Sequence, residues 1–292
     1  MDALIASYGG TSSDSDIEAD SRPTHKPETS PSPTPLPPPP IYLLHAPNSS
    51  GTSDFSLERN NSNRVRSFPH VEGNYAMHVY IPVTVPLAQR KELALFVKRV
   101  ASMVGELHVV DIDILLSDLI KDEQKFDQVV LEREFHVSLG RTVPIRVHQR
   151  DSIMAMLRQR LQSRRRYWID FNKWEVFVND DRTRTFLSIE VTTGGLAEVA
   201  KHIKIKKQIE AVNEVYRLHN LPEFYKDPRP HISVAWAAGD ISSSLKKVIG
   251  EEMKRHTAAG GLSQKRIFTC LFGGISCKIG NKSYELCRGQ EE

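Results

Sequence analysis

Two short segments of this 292-residue chain place a histidine and a serine two positions apart in an apolar run. They are FHVSL, with His136 and Ser138, and PHISVAW, with His231 and Ser233. In a β-strand, positions i and i+2 point to the same face. Each segment therefore presents an imidazole beside a hydroxyl, with Val137 or Ile232 turned into a core. Two such strands facing each other would make a groove with two proton-transfer groups and two hydrogen-bond donors. Histidine, with an ordinary pKa of about 6.5, serves as acid or base at neutral pH. Serine hydroxyls can donate to the non-bridging oxygens of a phosphate as negative charge builds there. That is equipment for metal-free chemistry on a phosphodiester. The two histidines lie 95 residues apart, so they can converge only through the fold.

Tyr225 stands six residues before His231, in the loop EFYKDPRP, which Pro228 and Pro230 stiffen. An aromatic ring there could stack on a nucleobase, worth about 1–3 kcal/mol, or simply pack with its hydroxyl satisfied. The remaining candidates read as structural. His70 and His78 flank the first strand and His108 opens an apolar run, whereas His202 and His219 sit on a basic helix and read as solvated. Asp111 and Asp113 alternate in an apolar segment, with no third acidic ligand near in sequence. Hard cations want several oxygens, so no metal site is expected. The odd cysteines, Cys270, Cys277 and Cys287, lack zinc-ligand spacing and read as buried free thiols. Arg164-Arg165-Arg166 could meet phosphates, serve nuclear import or be a solvated helix end. Trp168, Phe171 and Trp174 read as core, and Gly194-Gly195 as a turn. No cofactor is implied.

The elements that must position these groups follow from periodicity. Residues 77–83 alternate as a strand, 87–104 have helical spacing, and 107–116 are an apolar strand with a connector. Residues 117–128 form a polar loop or short helix, and 134–139 the first His-x-Ser strand. A helix is expected over 152–164, a hairpin over 174–178 and 185–191, and a long helix over 196–219. The second His-x-Ser strand covers 230–237, a helix 241–256, and strands 265–272, 275–278 and 283–287 end the chain. The order strand–helix–strand–strand occurs twice. It predicts an α+β protein of two similar lobes, each an antiparallel sheet backed by helices, with the active-site groove between them.

Composition bounds the setting. Ten of the 17 prolines fall between Pro23 and Pro47, among Ser, Thr, Asp and Glu. Such a stretch cannot bury enough apolar surface to offset its ordering entropy. Residues 1–62 are therefore expected to be a disordered proline- and serine-rich tail, and 63–292 the folded domain. The tail holds eight acids and three bases, net −5; the rest holds 36 bases and 28 acids, net +8. A basic body fits a polyanionic partner. No secretory leader is visible and no run approaches the roughly 18 apolar residues of a membrane span, so a soluble intracellular protein without membrane contact is expected.

With FHVSL and PHISVAW in place, the sequence resembles the two-histidine (2H) phosphoesterase superfamily, and within it the U6 small nuclear RNA phosphodiesterases. The resemblance runs from about Arg64 to Cys287 through RVRSFPHVEGNYAMHVYIP, FHVSL, TRTFLSIEVT, FYKDPRPHISVAW and CKIGNKSY. Ordered blocks are far more specific than two tripeptides. The resemblance implies a metal-independent 3′–5′ exoribonuclease that trims the 3′ oligo(U) end of U6 RNA in the nucleus. There the 2′-hydroxyl attacks its own 3′-phosphate, the terminal nucleoside leaves, and a 2′,3′-cyclic phosphate remains, which some members open to a 3′-phosphate. It makes His136 and His231 the acid/base pair, Ser138 and Ser233 the phosphate holders, and Tyr225 the ring that stacks on the terminal base. A monomer whose partner is an RNA 3′ end is expected. Arg229 departs from the pattern by adding a charge beside the site, and Pro230 stands where some members carry a bulkier aromatic. Two other readings stay open: a phosphodiesterase for small 2′,3′-cyclic nucleotides, and an RNA-binding module without catalysis.

Overall fold

The alternation of strand β1 (Asn74–Val83) sets the two faces of the main sheet. Met77, Val79, Ile81 and Val83 are buried in the core, and His78, Tyr80 and Pro82 face the other way. A computed structural model describes residues 68, 71–162, 164–191, 196–258 and 266–290. The expected tail, His70 and the Gly194-Gly195 turn lie outside these residues, as do the side chains of Arg164 and His202.

Strand β1 is lined on one side by β3 (Phe135–Ser138) and β4 (Val143–Arg146), both antiparallel to it. Its other side pairs with β11 (Gly274–Ile279), which continues to β12 (Lys282–Gln290) and, in parallel, to β5 (Arg164–Arg165). The result is a six-stranded sheet. A four-stranded antiparallel sheet runs in the order β2 (His108–Val109), β9 (His231–Ala238), β8 (Arg184–Glu190), β7 (Lys173–Val178). A third pair joins β6 (Trp168–Phe171) to β10 (Phe268–Leu271).

The α+β class with antiparallel sheets is as expected, but the sheets do not follow the halves of the chain. The last strands return to β1, and β2 from the first half joins β9. Each transfer pairs backbone groups that would otherwise lie bare along a sheet edge. The two principal sheets are unequal, and each draws on both halves of the domain.

Helices cover the apolar faces at the expected places. Helix α1 (Leu87–Met103) buries Leu93, Phe96, Val97 and Val100. Phe96 stacks on Trp174 of β7 at 4.2 Å, a contact worth about 0.5–1.5 kcal/mol beyond its area. The polar stretch holds two short helices, α2 (Leu116–Leu119) and α3 (Glu123–Phe126), the second capped by the Asp122 carboxylate accepting from Lys125 N at 3.0 Å. A π-helical turn, Asp127–Leu131, leads into β3. Helix α4 (Val147–Arg160) starts before the expected 152, where Arg146 N donates to Gln149 Oε1 at 2.9 Å. Helix α5 (Leu196–Leu218) buries Ile205, Ile209, Val212, Val215 and Tyr216. Helix α6 (Ser242–Ala258) docks on α1 partly through the fully buried Glu252, which accepts from Arg99 at 2.7 Å. Phe171 and Trp174 are core, but Trp168 is 54% exposed at the start of β6. The three cysteines are free and buried. No described helix is long and apolar enough to cross a membrane.

Candidate active site

Strand parity places the two His-x-Ser pairs as their sequence demands. On β3, Phe135 and Val137 are buried while His136 and Ser138 reach the opposite face. On β9, Ile232 and Val234 are buried while His231 and Ser233 keep accessible edges. Arg133, just ahead of β3, ties the two strands together. Its guanidinium donates to the carbonyls of Val110 and, at 3.3 Å, Ser233, and lies 3.6 Å from the Asp111 carboxylate. The imidazoles of His136 and His231 thereby come within electrostatic reach of each other.

The environment of each ring decides which proton it can move. The Nδ1 of His231 lies 2.7 Å from the Arg229 carbonyl, which can only accept. The neutral ring thus keeps its proton on Nδ1 and offers the lone pair of Nε2. Phe177 lies flat against that ring, 4.0 Å between centroids and 15° between planes. Burial lowers the His231 pKa; the Arg229 carbonyl and the Glu190 carboxylate pull it back up, and the Arg229 charge lowers it. Burial also lowers the pKa of His136, where Asp111 raises it and Arg133, His231 and Lys278 lower it. Both rings end below the ordinary histidine range.

The charge that Arg229 brings is neutralised locally. Its Nε and Nη2 each donate to Glu190 at 2.6 Å, and Nη2 also donates to Glu175 at 2.8 Å. Burial pushes the Glu175 carboxyl up, but hydrogen bonds from Lys173 and Arg229 bring it down to about 2. The guanidinium also sits 4.7 Å from the Phe177 ring on which His231 stacks.

Tyr225 is 42% exposed beside the end of β3. The Arg141 guanidinium, three residues beyond Ser138, covers one face of its ring at 4.1 Å. Arg141 is held in turn by the Glu223 carbonyl at 3.1 Å and Asp180 at 2.8 Å. Close packing aims this loop: a Cβ on Gly140 would stand 2.9 Å from Tyr216 Oη, whose hydroxyl donates to the Arg141 carbonyl at 3.2 Å.

Two groups in the site escaped sequence reasoning. His78, expected to be structural, has Nε2 3.0 Å from Ser138 Oγ and its ring edge-on to His136 at 4.9 Å. Burial, then His136 and Lys278, lower its pKa to about 3. The available signal was parity, since His78 falls on the non-core phase of an otherwise apolar strand. Ser188 is the second: it pairs in register with Ser233, and their hydroxyl oxygens are 3.3 Å apart. His108 lies against Trp236 at 5.0 Å, and Asp111 faces Arg133. Among the described residues, no group of three or more His, Cys, Asp or Glu is arranged to hold a metal ion.

Comparison with known proteins bears on the family and the fold. The HVSL family model, described as an uncharacterised conserved protein, matches residues 35–287. U6 snRNA phosphodiesterase 1 of Danio rerio is 31% identical over 225 residues, covering 76% of this chain and 69% of that protein. Its counterpart in Mus musculus is 29% identical over 294 residues, covering 97% of this chain and 98% of that protein. The solved structure of Kluyveromyces marxianus Usb1 with uridine monophosphate superposes with a TM-score of 0.50 at 15% identity, covering 72% of this chain and 97% of that one. At that identity the superposition shows a shared fold. Paired His-x-Ser strands in this fold, and a match spanning nearly the whole of a relative, place the chain in the U6 snRNA phosphodiesterase 1 family.

Proposed function

We propose that this chain is a nuclear 3′–5′ exoribonuclease that trims the 3′ oligo(U) end of U6 small nuclear RNA by metal-independent 2′-hydroxyl transesterification. One observation carries the reading: two part-buried imidazoles, on the neighbouring strands β3 and β9, lie within electrostatic reach of each other, each with a serine two residues along its own strand. One neutral imidazole takes the proton of the 2′-hydroxyl. The O2′–P bond forms and the P–O5′ bond breaks. The other ring, as imidazolium, gives its proton to O5′. The terminal nucleoside leaves and a 2′,3′-cyclic phosphate stays on the RNA. Each proton transfer is worth about 10² to 10⁴ in rate. Ser138 and Ser233 donate to the non-bridging oxygens as charge grows on them. Tyr225, braced from behind by Arg141, receives the terminal base on its exposed surface. These side chains supply both proton transfers and the charge stabilisation that the cyclisation needs. The relatives' names support the RNA substrate, and the nuclear setting follows from the family resemblance.

The test is to incubate purified protein with a U-tailed RNA in EDTA and to weigh the shortened ends by mass spectrometry. Stepwise loss from the 3′ end, with a cyclic phosphate left behind, is expected. His136→Ala and His231→Ala should each lower the rate by about 10² or more while leaving the fold intact. A 2′-deoxy 3′ end should resist cleavage; unchanged cutting would make water the nucleophile. Turnover of cyclic mononucleotides without RNA shortening would favour the small-nucleotide phosphodiesterase, and RNA binding without product would favour the binding module.

A further inference from the structure

The contact between His78 and Ser138 has a direction, and the chemistry of the groove selects it. A serine hydroxyl has one proton and two lone pairs. If Ser138 spends its proton on His78 Nε2, 3.0 Å away, its lone pairs are left for an incoming phosphate, which repels them. If His78 donates instead, the hydroxyl proton is free to meet the phosphate. Resting on the function proposed above, we propose that His78 is a positioning residue: its neutral ring carries its proton on Nε2, donates to Ser138 Oγ, and so turns the serine's own proton towards the substrate phosphate.

Three observations hold the ring in that role. In the β1–β3 register Tyr80 lies opposite Ser138, so His78 is a diagonal neighbour of the serine on the same face. Tyr80 stacks on the His78 ring at 5.2 Å and His136 meets it edge-on at 4.9 Å, which fixes its plane. The charged and titratable groups that act on it are His136 from β3 and Lys278, its partner in register on β11, and both oppose a positive charge there. Burial adds to that opposition and keeps the ring neutral. A neutral His78 also spares His136 a third cationic neighbour, beside Arg133 and Lys278, that would drive off the proton His136 must carry in one of the two steps.

Long-range 1H–15N correlation spectra of the full chain test the proposal without reference to activity. The His78 ring is expected to stay neutral between about pH 5 and 8, with its proton on Nε2. Titration within that window, or a proton on Nδ1, overturns it. Kinetics on a U-tailed RNA give the second readout. His78→Phe keeps an aromatic ring without the donor and should lower kcat about tenfold to a hundredfold, with KM within about twofold. His78→Gln, whose amide can still donate, should recover most of that loss. In a Ser138→Ala background, His78→Phe should cost nothing further. Full kcat in His78→Phe, or the same loss in both backgrounds, overturns the proposal. If the wild-type protein leaves RNA untouched, the functional reading fails, and the spectrum still decides the orientation of His78. The spectrum also decides it if His78→Phe does not fold.

Discussion

An imidazole walled in by protein gives up its proton more readily than one in water, because burial penalises the charged form. His136 and His231 share that fate. A reaction that needs one ring neutral and the other protonated must then run best at a pH below the ordinary histidine value. We expect kcat/KM, which reports the free enzyme, to trace a bell peaking on the acid side of about pH 6.5. A maximum above about pH 7.5 would contradict the shared burial. His78 makes a related prediction about stability. Its folded pKa is about 3, whereas the unfolded chain has the ordinary value of about 6.5. As pH falls below about 6.5, the unfolded chain takes up a proton that the folded one refuses. Stability present above that pH therefore drains away towards about pH 3, by up to about 1.4 kcal/mol per pH unit. His78→Gln lacks this term, so its Tm should fall less steeply than the wild type's between about pH 6.5 and 4. Parallel Tm curves would count against it.

At the level of elements, the β7–β8–β9 sheet supports His231 through an ion cluster rather than through apolar packing alone. Arg229 precedes β9, and its acids come from β7 and β8. Removing it in Arg229→Ala leaves Glu190, whose side chain is 8% exposed, without its main cation. The expected cost is about 1–3 kcal/mol, measurable by urea denaturation. The sign on catalysis is separate. Arg229 lowers the His231 pKa and Glu190 raises it, so whichever limb of kcat/KM His231 sets, alkaline as the acid or acidic as the base, should move to higher pH in the variant. Two unmoved limbs would mean that other groups set them. Gly140 links β3 to α5 in the same structural way. In Gly140→Ala the new methyl meets Tyr216 Oη at 2.9 Å and Val212 Cγ1 at 3.0 Å, and both belong to a packed helix face. A loss of about 1–3 kcal/mol is expected by chemical denaturation, since the core must shift to admit it.

For the whole molecule, the split in charge is the informative quantity. Residues 63–292 carry 36 bases against 28 acids, and the first 62 carry three against eight. A basic body attracts RNA through its phosphates, and binding must then release counterions. Affinity for a U-tailed RNA, measured by fluorescence anisotropy, should fall with salt at a log–log slope of about −0.7 per phosphate engaged. A flat salt response would leave base stacking on Tyr225 as the main source of binding. The fold itself depends on both ends of the domain, because β11 and β12 complete the sheet that β1 begins.

Strand parity is a local property, so FHVSL and PHISVAW alone were enough to put each imidazole beside its hydroxyl and to bury Val137 and Ile232. The 3.6-residue spacing of Leu93, Phe96, Val97 and Val100 likewise announced α1. Strand β4 was hidden because Pro144 argues against a strand, and its pairing with β1 is a matter of long-range register. The same holds for the features that complete the candidate site. His78 reaches Ser138 across 60 positions of sequence, and Arg229 reaches Glu175 across 54. Trp168 looked like core by its type and proved exposed by its place at a strand end. Periodicity records which way a side chain points along its own strand. Which strand lies next to it depends on loop closure and on burying backbone polar groups across the whole domain, and those terms leave no mark on any short stretch of residues.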